Sequence, residues 1–229
     1  MHKDLPDLRT PSRTPVHGLR RLVLAAAFVA GGLASHAALA ATLDDALSAA
    51  SMGDAKELVS LIQRGLDPDT VDAQGNTLLI LAAREGHTAA VEALAKNRAR
   101  LDYRNPAGDS ALMLAVLRGH EDTARALIRA GAAVAHDGWA PLHYAAFEGR
   151  DSLIEPILGA GADVNAPAPN KATALMLAAR NGHIDVVRRL LALPQTDLNA
   201  LNEAGLSADA WALQNSNTDI AGLIEAERK

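Results

Sequence analysis

Gly138-Trp139-Ala140-Pro141-Leu142-His143-Tyr144-Ala145-Ala146-Phe147-Glu148-Gly149 decides how this chain folds. Beyond it come Leu153-Ile154, Leu158 and Gly161-Ala162-Asp163-Val164-Asn165-Ala166. The stretch reads as a turn, a short helix opened by proline, a glycine break, a second helix and a loop. Pro141 suits a first helical turn, where its missing N–H is no loss. Gly149 and Gly161 stand where the helices should stop, and glycine enters positive φ without a side-chain clash.

The pattern is written several times. Gly86-His87, Gly119-His120, Gly149-Arg150 and Gly182-His183 are spaced 33, 30 and 33 residues apart. A period of about 33 residues around a T-P-L-H-x-A core resembles the ankyrin-repeat family. That resemblance implies an all-α repeat solenoid: helix-turn-helix units joined by short β-hairpin fingers, about six repeats including degenerate caps.

Residues 1–40 differ from the rest. Lys3, Arg9, Arg13, Arg20 and Arg21 precede an apolar run over residues 22–33, and Ala38-Leu39-Ala40-Ala41 offers a cut after Ala40. This order predicts a cleaved secretory signal peptide. About twelve apolar residues are too few to cross a bilayer. Arg20-Arg21 raises a twin-arginine route, but its flanks favour ordinary secretion. The expected address is a bacterial periplasm or the exterior. Removing five basic and two acidic residues from 22 and 27 leaves 17 against 25, a formal charge of about −8. Such a surface argues against nucleic acid, which needs a basic footprint. There is no cysteine, so stacking alone must supply stability.

The expected domain is one solenoid over residues 41–229, with repeats near 42–71, 72–104, 105–134, 135–167, 168–201 and 202–226. The first repeat should open with a helix over residues 43–50 capped by Thr42, then a second over 55–63. In the second repeat Leu78 and Ile80 replace the usual Pro and His. Its second helix, over 89–97, ends at Arg98 instead of glycine and should be less well capped. The fourth is three residues short, and the loss falls in Ala133-Val134-Ala135-His136-Asp137, clipping its finger. The fifth has a proline-stiffened finger, Ala166-Pro167-Ala168-Pro169-Asn170. The sixth is degenerate, as a terminal cap with one solvent face should be.

Chemistry is sparse. His87, His120 and His183 follow the inter-helix glycines, and His143 takes the T-P-L-H position behind Pro141. The resemblance implies structural roles for all five. One repeat apart, the histidines are too distant to share a metal, whose ligands lie near 2 Å. No G-x-S-x-G, H-E-x-x-H, P-loop or G-x-G-x-x-G occurs in the mature chain. The expectation is therefore no catalytic residue, no cofactor and no metal.

What the resemblance implies is a recognition face of finger tips and exposed first-helix positions. Carried over by motif, it comprises Ala73, Gln74, Asn76, Pro106, Ala107, Asp109, Trp139, Asn170 and Ala172. From the helices it adds Arg84, Glu85, Leu117, Arg118, Phe147, Glu148, Arg180 and Asn181. Trp139, Tyr144 and Phe147 all fall in the fourth repeat. Because buried aromatics and arginines dominate interfaces, Trp139 and Phe147 are the expected anchors, flanked by Leu117, Arg118 and Arg180. Equally, Trp139 could fill the gap left by the short finger. The favoured function is a non-catalytic, monomeric periplasmic adaptor or inhibitor gripping a folded protein. The alternatives are a small-ligand or metal-binding protein with a pocket around His136, Asp137 and Trp139, or an accessory or immunity factor for another enzyme.

Overall fold

The computed structural model describes residues 34–228. Most of the expected signal peptide lies outside the described residues. Among them twelve helices form six antiparallel pairs: α1 (Ala34–Met52) with α2 (Ala55–Gln63), α3 (Leu78–Arg84) with α4 (Thr88–Lys96), and α5 (Ala111–Arg118) with α6 (Glu121–Arg129). Then follow α7 (Pro141–Phe147) with α8 (Asp151–Gly159), α9 (Ala174–Asn181) with α10 (Ile184–Leu191), and α11 (Ala208–Gln214) with α12 (Thr218–Glu227). First helices pack on first helices and second on second, giving two layers with the core between them.

Alanine makes the stack close. Ala82, Ala83, Ala115, Ala145, Ala146, Ala178 and Ala179 are all fully buried between first helices. Leu94, Leu127, Leu153 and Leu190 are buried from the second layer, each stabilising by roughly 1.5–3 kcal/mol. One pair buries its apolar side only against the next, so the repeats stand together.

Two expectations about the first pair are corrected. Among the described residues helix α1 already runs from Ala34, well before residue 43, and passes through Ala40 and Ala41 without a break. Thr42 lies inside it and cannot be its N-cap. The Ala-Ala-Leu-Ala-Ala run before Thr42 has the strongest helix preference available, so the helix continues N-terminally.

The second repeat shows how a missing glycine is handled. Arg98 adopts φ +65° where Gly65, Gly131 and Gly161 stand in other repeats. All the closing bonds are still made: Arg98 N–H to Ala95 O at 3.1 Å and Ala99 N–H to Leu94 O at 3.0 Å. The expected weak cap is therefore satisfied in hydrogen bonds, and its cost sits in the backbone.

The fingers form no paired strands among the described residues; a single antiparallel bridge joins Val71 and Thr77. They are tight turns held by their first side chain. Asp72 Oδ1 accepts from the Gln74 and Asn76 amides, Asn105 Oδ1 from Ala107 and Asp109, and Asn202 Oδ1 from Ala204 and Leu206. In the fourth and fifth repeats alanine, Ala135 or Ala168, takes that position, three residues before the turn at Gly138 or Lys171.

Helix α8 carries an internal proline, Pro156, which cannot donate to the Ser152 carbonyl. The Arg125 guanidinium, reaching across from α6, donates to that carbonyl instead. The defect in one helix thus becomes a bond between repeats.

Candidate protein-binding face

The site is built on a ladder between repeats. Two residues before each inter-helix glycine, a backbone carbonyl accepts from the residue after the next inter-helix turn, which is a glycine in every repeat but the last, where Ser216 stands. His87 Nε2–H donates to Ser51 O at 2.9 Å, His120 to Arg84 O at 3.0 Å and His183 to Phe147 O at 2.8 Å. Arg150 Nη2 reaches Leu117 O at 3.3 Å, and Asn217 Nδ2 reaches Arg180 O at 2.8 Å. A carbonyl can only accept, so each of these histidines is protonated on Nε2. Each ring also lies against the previous glycine: a Cβ on Gly53, Gly86 or Gly149 would stand 2.5–2.6 Å from it.

The ladder fixes the residues whose carbonyls it binds. Arg84, Leu117, Phe147 and Arg180 hold the same position in α3, α5, α7 and α9, forming one row down the stack. Leu117 and Phe147 are half-buried against the core, and Arg118, beside Leu117, is exposed. Arg84 pairs with Glu85 at 2.9 Å, while the Arg180 guanidinium lies 5.0 Å over the Trp211 ring. The row has an apolar middle between cationic ends.

Several other expected contact residues are engaged within the protein. Asn76 is buried: its amide donates to Asp72 Oδ2 at 2.9 Å and its oxygen accepts from Asn105 Nδ2 at 2.8 Å. It ties two fingers together and, being buried, presents no surface to a partner. Ala172 is fully buried as well. Asp109 is half-buried and accepts from the Tyr144 hydroxyl at 3.3 Å. Burial and the neighbouring Asp109 charge push the Tyr144 hydroxyl well above the usual tyrosine range. Trp139 is half-buried, edge-on to His143 at 5.8 Å and tilted over Tyr144 at 6.0 Å, so its ring packs where the finger is short.

One groove residue escaped the sequence reading. Trp211 lies six residues after Gly205, as Tyr144 lies six after Gly138, and the same count would have placed it. With Asn170, Asn202, Glu203 and Ala204 it lines an open hollow of about 270 Å³ between the last two fingers.

The fourth repeat departs from its neighbours at its start. Thr77, Ser110 and Thr173 cap α3, α5 and α9 by accepting from Ile80, Met113 and Met176 amides. Ala140 has no hydroxyl, and Pro141 follows it at the first helical position. Instead the Ala140 N–H donates to His143 Nδ1 at 3.0 Å, and His143 Nε2–H donates to Ala166 O at 2.8 Å. Beside this joint is a cavity of about 60 Å³, lined by Val134, His136, Leu142, His143, Asp163 and neighbouring alanines. It is far below the roughly 300 Å³ of a small-molecule site. Of the expected pocket residues only His136 lines it; Asp137 and Trp139 do not. Among the described residues no group of three or more His, Asp or Glu could hold a metal ion. No helix among them is long and apolar enough to cross a membrane.

A stack of helix pairs presenting one row of side chains defines a recognition scaffold. A profile of ankyrin repeats in three copies matches residues 46–136, 98–168 and 142–227, and the chain belongs to the ankyrin-repeat family. Ankyrin repeats mediate protein–protein interaction. Its relatives include a transient receptor potential channel subfamily A member 1 homolog of Caenorhabditis elegans, 33% identical over 126 residues, covering 54% of this chain and 10% of that protein. An L-asparaginase of Dirofilaria immitis is 32% identical over 146 residues, covering 62% of this chain and 25% of that protein. The chain spans only 10–33% of the length of such relatives.

Among solved structures, a predatory endopeptidase from Bdellovibrio bacteriovorus in complex with an immunity protein contains a similar chain. The TM-score is 0.69 at 29% identity, covering 80% of this chain and 97% of that one. The human ASB11 ankyrin repeat domain superposes with a TM-score of 0.63 at 22% identity, covering 78% and 96%, and shares the fold.

Proposed function

We propose that this protein is a non-catalytic, exported binding module that holds a folded protein against its concave row, as an inhibitor or immunity factor for an enzyme. The observation that carries this reading is the ladder-fixed row of Arg84, Leu117, Phe147 and Arg180 with Arg118 exposed beside it. A preorganised face loses little freedom on binding, so more of the contact energy appears as affinity. Likeness to nearly the whole length of a chain in an endopeptidase–immunity complex supports the inhibitor form over a general adaptor. The leader-like N-terminus supports export to the periplasm.

The test uses protein recovered from the producing bacterium, with its N-terminus read by mass spectrometry. A start at Ala41 supports export; an intact Met1 in a cytoplasmic fraction overturns it. The same protein is then used to capture partners from periplasmic extract, beside Phe147→Ala/Arg118→Glu. The expected result is one partner enzyme retained and inhibited by the native protein. The double variant should bind about 30-fold more weakly, the effect of losing roughly 2 kcal/mol at a hot spot. Equal capture by both proteins would place the face elsewhere, and no capture would overturn the reading.

A further inference from the structure

The start of the fourth repeat is held by a device that the other repeats lack. Where α3, α5 and α9 hold a first-turn amide on a cap hydroxyl that no physiological pH alters, α7 holds the amide of its cap residue, Ala140, on an imidazole nitrogen, and the first-turn His143 amide bonds Ala140 O at 3.0 Å. His143 is 1% exposed and both its nitrogens are engaged by backbone. An acceptor Nδ1 and a donor Nε2–H require the neutral ring. A second proton has one place to go, Nδ1, where it would point at the Ala140 N–H. Donor would then face donor, and the ring or the backbone must move.

We propose that His143 is an acid-sensitive latch: its protonation releases the start of α7 and loosens the finger that carries Trp139.

The surroundings offer the imidazolium little compensation. The titratable and charged groups around it are His136 and Asp137 on its own finger and Asp163 on the loop after α8. Asp109 stands beyond the Tyr144 hydroxyl, and Asp102 and Arg104 act from the preceding loop. Lys171, on the following finger, is exposed. Asp163 Oδ1 is engaged by the Asn165 amide at 2.9 Å, and neither ring nitrogen of His143 meets a carboxylate. The Nε2 atom of His136 is buried without a partner, so the cavity wall is itself poorly satisfied. Burial, opposed by the bond to Ala166, holds His143 below the usual histidine range; burial and then the Arg104 charge do so for His136.

A folded-state value below that of the unfolded chain makes the open form bind the proton first. The joint is fully stable above about pH 6.5 and opens up to tenfold more per unit as pH falls, until the folded value is reached. Trp139 lies edge-on to the ring at 5.8 Å and directly precedes Ala140, so it moves with the latch. A consequence for partner binding rests on the function proposed above; the opening itself does not.

The test is amide hydrogen exchange by NMR on the intact protein at pH 7.5, 6.5 and 5.5, corrected for intrinsic chemical rates. Protection of the Ala140 amide should fall up to about tenfold between pH 7.5 and 5.5, most of it below pH 6.5. The Ile80, Met113 and Met176 amides, bonded to hydroxyls, should keep theirs. His136→Gln should behave as the native protein, and His143→Asn, which keeps an acceptor but cannot take the proton, should be flat. If His143→Asn fails to fold, the comparison between repeats in the native chain still decides. Ala140 tracking the other three amides, or a fall abolished by His136→Gln, would overturn the latch. Partner capture at pH 7.5 is independent of it, so either proposal can fail alone.

Discussion

Replacing Gly149 by alanine tests the ladder directly. Gly149 has φ +69°, and an added Cβ would lie 2.5 Å from His183 Nδ1 and 2.9 Å from two further ring atoms. The ring cannot simply turn away, because its Nε2–H is bonded to Phe147 O at 2.8 Å. Gly131 is the control: its φ is +91°, yet a Cβ there meets nothing within 4 Å. Left-handed backbone costs a non-glycine residue about 1–2 kcal/mol, and alanine recovers about 0.5–1 by restricting the unfolded chain. Gly131→Ala should therefore destabilise by roughly 0.5–1 kcal/mol. Gly149→Ala adds a lost hydrogen bond, about 0.5–1.5, and a displaced ring of similar cost, for roughly 2–3 kcal/mol in all. Urea unfolding at pH 7.5 measures both. The Gly149→Ala/His183→Ala double variant should lose much less than the sum of the two single changes, since it removes the obstructing ring. Equal losses in the two glycine variants, or strict additivity in the pair, would refute the reasoning.

Arg98→Gly should stabilise the protein by about 0.5–1 kcal/mol, because the closing bonds already exist and only the left-handed strain is removed. A urea midpoint unchanged or lowered would show that Arg98 contributes contacts that outweigh its backbone cost. At the other end, the Arg228 guanidinium bonds Asp209 at 2.6 and 3.3 Å and holds its carboxyl below the usual carboxylate range. That contribution is complete above about pH 4 and disappears as pH falls through the folded value. Asp209→Asn should therefore be destabilised relative to the native protein at pH 7, and the gap should narrow steadily as pH falls below about 4, as read by urea unfolding. A gap independent of pH would overturn the assignment.

Much of the fold was legible because a repeat writes its constraints many times. The glycines, caps and alanines each answer a local demand: a positive φ, an unsatisfied amide, a close helix approach. Five in-phase copies make those demands visible without coordinates. The candidate site was less legible for the same reason. Motif position located Arg84, Leu117, Phe147 and Arg180 on one row, but it also offered Asn76 and Ala172, which the neighbouring finger and helix bury. Trp211 went unnoticed because its motif is degenerate, although its distance from Gly205 was readable.

The sequence by itself determined the period, the pairing of helices and the short fourth finger, since these follow from local backbone chemistry repeated at a fixed interval. Contacts between one repeat and the next decided the rest. Asn105 of the next finger engages Asn76, Arg125 of α6 completes the Ser152 carbonyl that Pro156 leaves open, and Ala166 takes the second nitrogen of His143. Each joins residues more than twenty positions apart, where no local propensity acts and only the stacked geometry brings the groups within bonding distance.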